Sequence, residues 1–376
     1  MRCSAEPNDV SGRQPGSNRL GARGSFCQSV WRTSYYRAYV CAACLVAASP
    51  NAFALALTPP SSPPARIEEA PTTPEDDLEQ LQRLEHYIRD SKFHEVEAPL
   101  RGYLKAHSDS ARAYYDLGYA LFRTHQISAS VEALAKSLQL DINNAEAHKV
   151  LGLDLATVGK QDEAQMEMEE AARLKPNSAE IHYFLGRIHY TRNAFPLAKQ
   201  EFEAAIRLDP SYMKAYDNLG LTMEGMGDDQ AALANYEKAI QLMERSGRKS
   251  EWPCLNLCAM YNRLNKPESA LEYCRRALAL NPKSEQAWFE VARAHMAQRN
   301  WASAANALQS AIEINPRFPK FHYVLSTVYR KMGKVAESES EMAVYRKLFD
   351  QAKSQRPLDT GDPPHPESNS PVDVNH

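Results

Sequence analysis

Small residues recur along this chain at a constant interval. Gly118, Gly152, Gly186 and Gly220 are evenly spaced, and each step between them has the same 34-residue length. A fixed period of this size is typical of an array of stacked copies of one supersecondary unit. Two alanine series keep the same step apart from one wider gap. The first is Ala164, Ala198, Ala232, Ala270 and Ala304; the second is Ala171, Ala205, Ala239, Ala277 and Ala311.

Punctuating residues divide each unit into two predicted helices. Glycine and asparagine, the residues best suited to a left-handed helix C-cap, recur between the halves of the units. Prolines recur at the end of the second half, where they stop a helix. The turn residues are Gly159, Asn193, Gly227, Asn265 and Gly333, and the closing prolines are Pro176, Pro210, Pro282 and Pro316.

These positions resemble the tetratricopeptide repeat (TPR) family. The resemblance implies an all-α fold, a right-handed α-solenoid of stacked helix–turn–helix 34-residue repeats. Taking each glycine as the eighth position predicts repeats over 111–144, 145–178, 179–212, 213–246, 251–284, 285–318 and 319–352.

Two segments depart from the period. Four residues are inserted around 246–250, and we interpret them as a solvated surface loop, with a hinge or a contact loop as alternatives. A degenerate unit fits at 77–110, where Leu84 replaces the glycine, and it is predicted to cap the array. The whole predicted TPR array covers 77–352.

Outside the array the sequence predicts four further segments. Residues 1–29 read as an unstructured leader or a mis-annotated start, and 57–76 as a Pro-rich linker. Residues 353–376 are predicted to be a disordered tail. Residues 30–56 combine basic residues, a short apolar run and an A-x-A site, so they predict a cleaved secretory signal peptide or, alternatively, an uncleaved membrane anchor. We therefore expect an exported bacterial protein, periplasmic or extracellular, that contacts a membrane only through that segment.

Composition and motifs argue against several function classes. A net charge of −3 provides no strong field for nucleic acid. Common catalytic motifs such as GxxxxGK[ST], HExxH and GxSxG do not occur, so we expect no enzyme activity and no cofactor. Histidines recur in different repeats, so we expect no metal site and interpret them as helix-packing residues.

Three cysteines in one repeat allow two interpretations. Cys254 and Cys258 share one face of a predicted first helix, and Cys274 lies on the second helix facing it. They are either free, buried small hydrophobes or a disulfide between Cys274 and Cys258 or Cys254.

The TPR resemblance also implies where a partner binds. First helices line the concave face of a TPR array, and their second, fifth, ninth, twelfth and thirteenth positions point into it. Aromatic and cationic residues, typical of binding hot spots, dominate these positions here. The alternative is that several aromatics only pack between adjacent first helices. The predicted groove residues are Tyr115, Tyr119, Phe122, Arg123, Lys149, Tyr183, Arg187, Tyr190, Lys214, Trp252, Arg263, Phe289, Arg293, Tyr323 and Arg330.

The sequence therefore predicts a non-catalytic scaffold that binds extended or helical segments of other proteins or peptides. Envelope assembly and secretion are the roles that fit the predicted export. The alternative is an accessory or regulatory subunit of an enzyme system such as a glycosyltransferase complex. The oligomeric state is left open by the sequence.

Overall fold

The computed structural model describes residues 74–354 of the chain. The predicted leader, the signal or anchor segment and nearly all of the linker and the tail lie outside these residues. Within residues 74–354 every regular element is an α-helix, and no helix there is both long and apolar enough to cross a membrane. The predicted all-α fold is confirmed.

The helices follow one another in pairs joined by short turns. In every pair after the first one, the first helix has 12 or 13 residues. The second helix of a pair usually has 14. Within the described residues the helices are α1 Pro74–Arg89, α2 Phe93–Ala106, α3 Ala111–Arg123, α4 Ile127–Leu140, α5 Ala145–Thr157, α6 Gln161–Leu174, α7 Ala179–Thr191, α8 Phe195–Leu208, α9 Met213–Gly225, α10 Asp229–Ser246, α11 Trp252–Arg263, α12 Pro267–Leu280, α13 Glu285–Ala297, α14 Trp301–Ile314, α15 Pro319–Lys331 and α16 Val335–Ser354.

The chain divides into two compact units, which meet between Leu151 and Gly152. In the first unit, α1 and α2 pack against each other and α3 packs against both. Leu84 and Leu100 are buried in this core, so the degenerate hairpin covers apolar surface of the following repeat.

In the second unit each second helix packs against the first helix of the next repeat, from α6 to α15. First helices also touch one another from α7 through α9 and α11 to α13. Two large clusters of buried side chains fill these contacts, one centred on Phe202 and Tyr236 and the other on Leu308 and Phe321.

The repeated glycines lie where the two helices of a pair cross. A Cβ atom added to Gly186 would lie 2.8 Å from a ring carbon of Phe202, and one added to Gly220 would lie 2.5 Å from the ring of Tyr236. The partner side chain stands at the same offset along the sequence in both cases. A large residue on the second helix therefore fills the space that glycine leaves on the first.

One repeat fills the same space with a covalent bond. Cys258 and Cys274 occupy the positions of the glycine and its partner, with the same sequence separation of 16, and they form a disulfide with a Cα–Cα distance of 5.3 Å. Cys254 is buried and free. Of the two predicted pairings for Cys274, the structure has the one with Cys258.

The turn between the two helices of each pair contains a residue with positive φ. The predicted turn residues Gly159, Asn193, Gly227, Asn265 and Gly333 all have this conformation. Ser91, His125 and Arg299 occupy the same place in the other pairs, with φ of 57° to 60°. The positive-φ turn therefore recurs in these pairs even where the residue is neither glycine nor asparagine.

The four inserted residues mainly lengthen a helix. Helix α10 has 18 residues where the other inner second helices have 14, and it ends at Gly247, whose φ is 67°. Four other repeats have proline two residues after the helix, but Glu244 stands at that place here, so the helix continues. Residues 247–251 form a connector only one residue longer than its counterparts. Residues 247–250 of the predicted insertion lie outside the helices and are exposed or half-buried, so the surface-loop interpretation applies to them, while the extra turn relative to the other repeats lies in α10.

Candidate functional site

The predicted groove residues lie on the first helices α3, α5, α7, α9, α11, α13 and α15. We call the second, fifth, ninth, twelfth and thirteenth positions of these helices the first-helix face. The structure divides the predicted residues into three groups: clustered and partly exposed, buried, and paired with acids. Each compact unit is described by itself.

In the first unit, α3 presents an aromatic and cationic cluster. Tyr115 and Tyr119 stack with their ring centroids 6.2 Å apart. Arg123 donates to the Tyr119 hydroxyl over 3.0 Å, and its guanidinium lies 4.4 Å from the ring centroid of Phe93. The arginine is exposed and both tyrosines are half-buried. Such a cluster offers ring edges and a cation to a bound segment.

Two other predicted residues of this unit are less available. Phe122 is buried, with 7% of its surface exposed. Lys149 pairs with Glu146 over 2.7 Å, and its side chain is 12% exposed. Phe93, by contrast, belongs to the cluster but was not predicted, since it begins the second helix of the degenerate hairpin and lies outside the first-helix positions.

Tyr183 is part of the core and not a free groove residue. It is 5% exposed and its ring contacts those of Phe184, Phe202 and Tyr212. Desolvation raises the pKa of its hydroxyl. Tyr212, which ends the same repeat, was not predicted because it stands just before α9, outside the first-helix positions. The three contacting rings all belong to the repeat 179–212, so Tyr183 packs within its own repeat.

Phe289 is buried for a similar reason. It is 8% exposed, its ring centroid lies 5.4 Å from that of Phe321, and the amine of Lys320 covers its ring at 5.1 Å. The cation and not the ring is therefore what this part of the face presents to solvent.

Four predicted residues of the second unit are half-buried. They keep polar or aromatic edges on the face while their stems pack against the core. The guanidinium of Arg187 lies 5.8 Å from the ring centroid of Tyr183, and the rings of Tyr190 and Phe195 are 5.7 Å apart. The four are Arg187, Tyr190, Lys214 and Trp252.

Two predicted arginines are paired with nearby acids. Arg263 reaches from α11 back to Glu224 and Asp229 of the preceding repeat, at 3.0 and 2.5 Å. Arg293 pairs with Glu290 over 2.9 Å. Arg263 thus joins two repeats, whereas Arg293 pairs within its own helix, and a ligand would have to compete with the carboxylates of both.

A buried carboxyl also lies on this face. Asp217 of α9 is 7% exposed and accepts from the Asn256 amide of α11 over 2.9 Å. Desolvation raises its pKa to about 7, because burial disfavours the charged form. Asp217 and Asn256 therefore form a polar link between successive first helices.

Tyr323 and Arg330 are exposed predicted residues of the second unit. Tyr323 is 49% exposed and its ring centroid lies 5.3 Å from that of Tyr345 in α16. Lys320 and Lys331 are exposed on the same helix. Helix α15 thus carries a basic and aromatic surface open to solvent.

The recurring histidines act as helix-packing residues. His182 and His322 each bridge a glutamate of the second helix, at 2.6 Å, and the carbonyl of the closing proline, Pro176 or Pro316. His148 contacts a carbonyl six residues earlier in the same way. Among residues 74–354 no group of three or more His, Cys, Asp or Glu side chains is placed to hold a metal ion.

This architecture of stacked helical hairpins with small residues at their crossings defines a helical repeat protein. Tetratricopeptide repeat models match residues 111–144, 150–213, 213–246, 261–317 and 289–353. Together these matches cover more than half of the sequence. The chain belongs to the tetratricopeptide repeat family.

Comparison with individual proteins supports the fold and adds one relative. The chain is 31% identical over 133 residues to the photosystem I assembly protein Ycf3 of Synechococcus sp. (strain CC9605), covering 35% of this chain and 57% of that protein. The match thus spans a little over half the length of this curated relative.

Two solved structures share the fold. One is the APC/C hetero-tetramer Cut9-Hcn1, with a TM-score of 0.57 and 18% identity over 65% of this chain and 48% of that chain. The other is a tetratricopeptide repeat protein from Parabacteroides merdae ATCC 43184, with a TM-score of 0.53 and 11% identity over 70% of this chain and 99% of that chain. At these identities the likeness concerns the fold alone.

Proposed function

We propose that this protein is a non-catalytic scaffold that holds segments of partner proteins on its first-helix face. The observation that carries the proposal is the grouping of partly exposed aromatic and cationic side chains there, as in the Tyr115, Tyr119 and Arg123 cluster. Such side chains contribute large contact area and charge-assisted hydrogen bonds to a bound segment. The partner class is a protein or peptide, with no role for nucleic acid.

The setting we propose is an exported one, with a role in assembling other proteins. Two features support export: the apolar segment within 30–56, and the Cys258–Cys274 disulfide, since disulfides persist in oxidising compartments. The similarity to a photosystem I assembly protein supports an assembly function. The specific role that we propose is envelope assembly or secretion.

Affinity capture from the native host tests the proposed face. The test variant replaces Arg187, Tyr323 and Arg330 by alanine, all outside the buried core. The matched control replaces Arg207, Arg245 and Arg275, which are exposed on second helices. Wild type and control should retain the same partners and the test variant should lose them. Equal capture by all three folded proteins would refute the proposed face.

A further inference from the structure

The last described repeat has a basic first helix without acids. From Ile314 to Ala336 the sequence contains no aspartate or glutamate but five cations, in a chain whose net charge is −3. Three of them, Lys320, Arg330 and Lys331, lie on the first-helix face and are exposed. Among the described residues no carboxylate lies within ion-pairing distance of these three. We call Lys320, Tyr323, Arg330 and Lys331 the α15 basic strip.

The same repeat is followed by an acidic segment. Residues 355–376 contain four acids, Asp359, Asp362, Glu367 and Asp373, and a single cation, Arg356. Prolines are frequent in this segment, which favours extended backbone and reduces the entropy lost on docking. Its net negative charge complements an open row of cations.

The helix directions bring the segment to the strip. Helix α16 packs antiparallel on α15, since Ser338 donates to the Ser326 carbonyl and Glu341 contacts His322. With 20 residues against 13, α16 extends past the start of α15 by about 10 Å at 1.5 Å per residue. The described end of α16 at Ser354 therefore lies beyond the Lys320 end of the strip.

We propose that segment 355–376 docks along the α15 basic strip and covers this end of the first-helix face. At roughly 3.3 Å per extended residue, Asp359 and Asp362 reach Lys320, and Glu367 reaches Arg330 and Lys331. Tethering gives the segment an effective concentration of order millimolar, so a weak contact is sufficient for occupancy. An external acidic ligand would then have to displace the chain's own segment.

Carbodiimide cross-linking of the full-length chain tests this contact, because the reagent joins carboxylates to lysine amines that are already paired. An equal mixture of ¹⁴N- and ¹⁵N-labelled chains distinguishes links within one chain from links between two. We expect light–light and heavy–heavy links from Asp359, Asp362 or Glu367 to Lys320 or Lys331. These links should weaken several-fold at high ionic strength.

Arg330→Glu provides the matched variant, because it reverses charge on the strip but leaves both lysines in place. It should reduce the links to Lys320 and Lys331 several-fold, while links to Lys347, which is exposed on α16, stay constant. Links to Lys347 alone, an unchanged pattern in the variant, or mixed-isotope links would each overturn the proposal. The experiment involves no partner, so its result is independent of the capture experiment above.

Discussion

At the residue scale, the 34-residue period arises from one steric requirement. The first helix needs a small residue where the second helix inserts a large one, as at Gly186 and Phe202. The same pairing of a small residue with a large one occurs at Ala292 and Leu308, which are both buried. Because this crossing recurs along the array, it could be predicted from the sequence alone.

Gly186→Leu tests this requirement. The new side chain would collide with the Phe202 ring, and overpacking of this kind costs on the order of 2–4 kcal/mol of unfolding free energy. The control is Gly102→Ala in α2, where an added Cβ has no neighbour within 4 Å. The control should raise stability by about 0.5–1 kcal/mol, through helix propensity. Chemical denaturation measures both, and an unchanged midpoint for Gly186→Leu would contradict the assigned crossing.

His182 provides a pH-dependent prediction. The hydrogen bond from its ring to Glu201 is the main cause that raises its pKa in the folded chain. Because the pKa of His182 is higher in the folded chain than in the unfolded chain, the charged ring stabilises the fold at pH values below the unfolded pKa. This stabilisation is lost as the pH rises through the folded pKa. Stability relative to His182→Gln should therefore decline from pH 6 upward.

His182→Gln keeps a donor for the Pro176 carbonyl but cannot become charged. Comparing the two proteins at each pH also cancels the contribution of His189, whose pKa is lowered by burial and which acts in the opposite direction. A stability difference that stays constant, or grows, between pH 6 and 8 would show that the Glu201 contact does not favour the charged ring.

At the element scale, helix pairing was predictable but side-chain availability was not. The first-helix positions were read from the period, yet Tyr183 and Phe289 are buried because aromatic rings of neighbouring elements lie against them. Arg263 and Arg293 are engaged because acids stand one repeat or one turn away. These contacts depend on pairs of residues that no single-position pattern identifies.

The longer α10 is a second feature of the elements that the period did not predict. The sequence shows that four residues are extra, but the period does not reveal which element they lengthen. The absence of proline at Glu244 was the available signal for a longer α10, together with Met243, which is buried on the added turn.

The disulfide between α11 and α12 gives a prediction for this pair. Cys258→Ala with Cys274→Leu reproduces the Ala292 and Leu308 pair of the next repeat. Closing a 16-residue separation stabilises a chain by about 3 kcal/mol in the chain-entropy model. Unfolding midpoints of the wild type should fall in a thiol reductant, and those of the double variant should not.

The other cysteines are common to both proteins, so a difference in their response isolates this bond. Equal sensitivity to reductant, or none in either protein, would show that Cys258 and Cys274 are not oxidised in solution.

At the scale of the whole molecule, the family and fold follow from the repeat, whereas the partner is not encoded in it. Three features refine the proposed binding face: the α3 cluster, the half-buried residues from α7 to α11, and the α15 basic strip. Because cations and aromatic side chains dominate these features, we propose a partner segment of acidic or aromatic character.

Photo-cross-linking in the native host tests the central proposal most directly. A benzophenone amino acid would replace Tyr119, Tyr190 or Tyr323 on first helices, or Arg207, Glu237 or Glu272 on second helices, where these three side chains are exposed. The account predicts partner adducts from the first-helix positions and none from the second-helix positions. Adducts formed only from the second helices would contradict it.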